Sequence, residues 1–105
     1  MAYDEALAAR VRDLLDGVAE KRMFGGLAFL LDGNLAVVVS SQGGLLLRLG
    51  PDADAALEEP HTAPMEMRGR PMTGWVRVAA EGVRGGELEW WVRRAVAFTR
   101  TLPAK

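Results

Sequence analysis

His61 is the only histidine in the chain. As a general base it would need a nucleophile to deprotonate and a carboxylate to orient its ring. The neighbouring sequence, Pro60-His61-Thr62, supplies neither at a useful spacing, so His61 is read as a loop residue. A zinc site would need ligands that the chain hardly has, and the absence of cysteine removes thiolate, disulfide and iron–sulfur chemistry. Gly25-Gly26 invites comparison with a phosphate cradle. It lacks both the Gly-Lys-Ser/Thr ending of a P-loop and the spacing of a dinucleotide fingerprint. A bulge or a close backbone approach inside a strand is the simpler use of that pair. No catalytic, cofactor-binding or metal-ligating residue is therefore assigned, and a non-enzymatic role is expected.

What remains is a set of contact residues: Arg22, Arg70, Trp75, Trp90 and Arg94. Arg22 could hold an anion, but a structural ion pair with Glu20 or Glu66 is the favoured reading. Trp90 and Trp91 are adjacent and cannot share a face if they lie on one helix. Trp91 falls on the apolar stripe, leaving Trp90, with Arg94 one turn on, as the flank or interface pair. Met23, Met65, Met67 and Met72 suit either a methionine-lined groove or core filling, and core filling is favoured. Charge is divided unevenly. Residues 1–60 hold five Lys/Arg and ten Asp/Glu, whereas residues 61–105 hold eight and four. A basic second half admits nucleic-acid contact, but the sequence pI of about 5.8 and the lack of a docking motif make this the lesser alternative.

These residues need a scaffold, and hydrophobic periodicity supplies one. Leu7, Val11, Leu14, Leu15 and Val18 predict a first helix, with Asp4 as N-cap and Gly17 as its stop. Residues 23–31 predict a strand, Asp32-Gly33 a tight hairpin turn, and residues 35–40 a returning strand that is apolar on both faces and so central. Residues 45–49 complete a three-stranded meander. Pro51 opens a short helix with Ala53, Ala56 and Leu57 on its buried edge, ended by Pro60. Residues 61–64 are expected as loop, 65–67 as strand, 69–74 as turn, and 75–79 as strand. A last helix is expected over residues 87–102, with Glu89 and Arg93 as an i,i+4 pair. The order α-β-β-β-α-β-β-α describes an α+β fold, an antiparallel sheet with its helices mainly on one face.

The chain's 105 residues make one domain, residues 1–105, with a core that needs no staples. Its composition, 50% hydrophobic and 26% charged, is that of an ordinary globular protein. The N-terminus carries Asp4 and Glu5 and no apolar h-region, so no secretory signal is expected, and Asp32-Gly33-Asn34 interrupts the apolar runs well short of a bilayer span. A cytoplasmic protein with no membrane association is expected. Arginine dominates over lysine and isoleucine is absent, as in proteins from GC-rich genomes.

Several words along the chain carry a family resemblance: Lys21-Arg22-Met23-Phe24-Gly25-Gly26-Leu27, the Asp32-Gly33-Asn34 turn, Leu47-Arg48-Leu49-Gly50, Pro60-His61-Thr62-Ala63-Pro64-Met65, and Gly69-Arg70-Pro71-Met72-Thr73-Gly74-Trp75-Val76. Together they resemble the TfoX (Sxy) N-terminal domain family over nearly the whole chain. The resemblance implies a bacterial protein akin to regulators of natural competence, which act with other transcription factors. The full-length regulator adds a helical C-terminal domain, and this chain is expected to be a stand-alone, single-domain member. The resemblance brings no catalytic residue or cofactor.

Three roles follow. The first is a small regulatory domain that binds a protein partner or a second copy of itself. The second is a nucleic-acid-associated regulator using the basic half. The third is a small-ligand protein or enzyme, which requires Arg22, Arg70 and Trp75 to converge on one cleft.

Overall fold

The computed structural model describes residues 3–23 and 25–105. Helix α1 (Glu5–Asp13) starts where expected, because the Asp4 carboxylate accepts the Leu7 backbone N–H at 3.1 Å. It ends before Gly17. Leu15 still packs on the core, but Val18 opens a strand rather than closing the helix.

That strand, β1 (Val18–Met23), is followed by β2 (Gly26–Leu31), β3 (Asn34–Val39) and β4 (Leu45–Arg48), each antiparallel to the last. The Arg-Met-Phe-Gly-Gly word is thus a hairpin between two strands, not the start of one, and β1 adds a strand ahead of the expected three-stranded meander. Phe24 lies outside the described residues. Asp32 (φ 52°) and Gly33 (φ 82°) form the expected left-handed turn between β2 and β3. Strand β3 is third of six across the sheet, as its two apolar faces require.

A 3-10 turn, Gly50–Asp52, leads into helix α2 (Ala53–Ala56), which buries Ala53 and Ala56. The hairpin of β5 (Thr62–Met67) and β6 (Arg70–Val78) is longer than expected at both ends. Its reversal falls on Arg68 (φ 53°) and Gly69 (φ 78°), two residues in left-handed conformation, so Arg70 and Pro71 already belong to β6. Pro71 is accommodated opposite Glu66, beside an irregularity in the β5–β6 register. Helix α3 (Glu87–Thr99) closes the fold. Residues 100–102 fall outside it. The tail returns to the β2–β3 turn, where Asn34 Nδ2 donates to the Pro103 carbonyl at 2.9 Å and the Lys105 N–H to the Asp32 carbonyl at 2.8 Å.

The sheet order is β1-β2-β3-β4-β6-β5 and every neighbouring pair is antiparallel. The fold is α+β. One sheet face carries Leu27, Phe29, Val37, Val39, Leu45, Leu47, Val76 and Val78, packed under Leu7 and Val11 of α1 and Leu88, Trp91, Val92 and Ala95 of α3. The other face carries a second, smaller apolar cluster made wholly of strand residues: Ala28, Val38, Leu46, Met65 and Trp75, ringed by Met23, Leu30, Leu35, Met67 and Met72. Among the described residues no helix contributes to it.

Candidate interaction surface

Strand alternation decides which face each contact residue occupies. Arg22 stands opposite Leu27, whose side chain lies in the helix-covered core, and its guanidinium is 6.0 Å from the Tyr3 ring centroid. Trp75 belongs to the cluster on the opposite face. Arg70 stands opposite Met67 on that same open face. Arg22 and Trp75 therefore flank the sheet from two sides, and the single cleft that a small-ligand reading demands does not form. The expected pairing of Arg22 is also replaced: Glu20 binds Arg12 through two hydrogen bonds of 2.5 and 2.8 Å. That contact holds the Glu20 carboxyl below its ordinary range and raises the Arg12 guanidinium. Glu89 and Arg93 pair as expected.

Trp90 and Arg94 do come together. Trp90 is 45% exposed on α3, Arg94 stacks 4.5 Å from its ring centroid, and Trp91 meets it edge to face at 4.7 Å. Beside them lies a groove of about 480 Å3 lined by Trp90, Trp91, His61, Glu59, Glu81 and Glu87. Glu59 is two residues from His61 in the chain, whereas Glu81 and Glu87 reach the same rim only through the fold. His61 is exposed, as expected of a loop residue, and has a left-handed backbone (φ 66°). Among the described residues no side-chain hydrogen bond reaches its ring, and no group of three or more His, Asp or Glu is placed to hold a metal. Gly26, read from sequence as a close backbone approach, is one: a Cβ there would lie 2.1 Å from the Val39 carbonyl oxygen.

The open sheet face is the feature least visible in the sequence. Three strands, β1, β5 and β6, deliver its methionines and Trp75, and two grooves cross it on either side of Met65. One, of about 320 Å3, is walled by Met23, Leu30, Leu35, Met72 and Trp75. The other, of about 220 Å3, is walled by Leu46, Met65, Met67 and Arg77. Met23, Leu30, Leu35, Met67 and Met72 are half-buried, so apolar surface stays in reach of solvent along the face. Arg48 bridges it, with its guanidinium 5.8 Å from the Trp75 ring centroid and Nη1 donating to the Leu35 carbonyl at 3.2 Å.

The strand edges are poorer docking sites. Strand β5 presents Pro64 and the register irregularity, and β1 presents Glu20, Lys21 and Arg22, devices that discourage further strand pairing. Among the described residues no helix is long and apolar enough to cross a membrane.

A helix-backed antiparallel sheet with a methionine-lined second face defines a small α+β domain. The TfoX N-terminal domain family model matches residues 10–99, and the chain belongs to that family. No curated protein and no solved structure matches it.

Proposed function

We propose that this domain is a cytoplasmic regulatory module that acts by binding another protein, not by catalysis, and that its docking surface is the open sheet face. The observation that carries the reading is the gathering of Met23, Met65, Met67 and Met72 with Trp75 on the face opposite the helical layer. Unbranched, polarisable methionine side chains repack readily against a partner, which suits them to recognition surfaces as well as to cores. The burial of Met65 and Trp75 gives the face a firm floor, while the half-buried methionines at its margin supply the adaptable contacts. Membership of the TfoX N-terminal domain family supports a regulatory role.

The test is affinity capture from the source cells with the wild-type domain and with a Met67→Ser/Met72→Ser variant whose fold is checked by circular dichroism. A protein, or a second copy of the domain, retained by the wild type and lost by the variant is the expected result. Retention of the same protein by both baits, or of none by either, contradicts the reading.

A further inference from the structure

From the charges around this face we infer the chemistry of its occupant: an amphipathic helix with acidic flanks, supplied by the partner protein. The inference rests on the open sheet face being the docking surface. Lys21 stands on it opposite Ala28, Arg48 lies over Trp75, Arg70 stands opposite Met67, and Arg77 stands opposite Leu46. Lys105 lines the larger groove. Acidic groups near the face are fewer. Glu66 lines the smaller groove together with Arg77, Asp32 is in the β2–β3 turn, and Glu20 faces the helical layer, where Arg12 neutralises it. An apolar strip bordered by cations complements a helix that has an apolar stripe and glutamate or aspartate on either side of it.

Two observations favour this occupant over the alternatives. Pro64, the β5 irregularity and the charged β1 edge disfavour an added strand. Single-stranded nucleic acid binds by stacking bases on exposed rings. Among the described residues the only aromatic side chain in the face's cluster is Trp75, which is 9% exposed and lies beneath Arg48. Those residues offer such a ligand cations but no platform.

The experiment is a fluorescence-anisotropy titration of the whole domain with a labelled amphipathic peptide of about 18 residues, ~27 Å long as a helix. Its apolar stripe is leucine and phenylalanine, and its flanks are glutamate. A counterpart peptide carries lysine at the flanks, and a thymidine oligonucleotide serves as competitor. The acidic peptide is expected to bind about tenfold or more tightly than the lysine peptide, to weaken as salt rises, and to lose about tenfold in affinity to a Lys21→Glu/Arg70→Glu domain. Equal or tighter binding of the lysine peptide overturns the inference. So does an acidic peptide that fails to bind, one that is indifferent to the charge reversal, or one that is displaced by the oligonucleotide. If the peptide fails while the captured protein still depends on Met67 and Met72, the docking face stands and only the charge assignment falls.

Discussion

The Arg48 guanidinium lies 5.8 Å from the Trp75 ring centroid while its Nη1 donates to the Leu35 carbonyl. One side chain from β4 thus ties β3 to β6 across the open face. The carbonyl it caps lies beyond the last β3–β4 pair, Val37 with Leu47. Arg48→Ala removes the ring contact, the hydrogen bond and the aliphatic stem over the indole together. The expected loss is about 1–2 kcal/mol, read by urea unfolding. Arg48→Lys keeps the charge but not the planar fork and recovers only part of it.

Gly26 and Gly43 separate close packing from backbone strain. Gly26→Ala would drive a methyl group to 2.1 Å from the Val39 carbonyl oxygen, beside the Leu27–Val39 pair that fixes both strands. A cost of about 3 kcal/mol or more is expected. Gly43 has φ 93° and no neighbouring atom within 4 Å of where a Cβ would stand, so Gly43→Ala costs only its conformational strain, about 1–2 kcal/mol. Thermal melts of the two variants should rank in that order.

The Arg12–Glu20 pair gives a pH dependence whose sign is fixed. The hydrogen bond from Arg12 lowers the Glu20 carboxyl in the folded protein. Its stabilisation is therefore present above the unfolded carboxyl range and is lost as pH falls through the lower, folded value. Both side chains are well exposed, so the effect is small and salt-sensitive. Chemical denaturation of wild type and Glu20→Gln should show a difference at neutral pH that shrinks in acid. A difference that stays constant with pH would contradict the assignment.

Thr99 is 1% exposed in the last turn of α3, and its hydroxyl oxygen has no hydrogen-bond partner among the described residues. A buried hydroxyl without a partner costs stability, and valine matches its shape. Thr99→Val is expected to raise stability by about 1 kcal/mol in the same unfolding measurement.

The parts of this fold that announce themselves in the sequence are those with local chemistry: the Asp4 cap, the Asp32-Gly33 turn, the stripe of α3 and the Glu89–Arg93 pair. Strand β1 does not, because Ala19, Glu20, Lys21 and Arg22 are all exposed and leave no alternating apolar signal. The start of β6 reads as a turn because Gly69 and Pro71 flank Arg70. Only the pairing of Arg70 with Met67 makes it a strand. The candidate surface was legible as residue types but not as a place. Each methionine alone suits a core, and the face they share depends on the crossing order β4-β6-β5 and on the register shift beside Met65. The same long-range order puts Arg22 and Trp75 on opposite sides of the sheet, which no local pattern reveals.

Methyl-labelled methionine NMR watches the docking face directly. On addition of the acidic amphipathic peptide, the Met23, Met67 and Met72 methyl resonances should shift progressively while the Trp90 indole N–H, on the helical side, stays in place. Shifts confined to the Trp90 indole, or methionine resonances that do not move at saturating peptide, would contradict the assignment of this face.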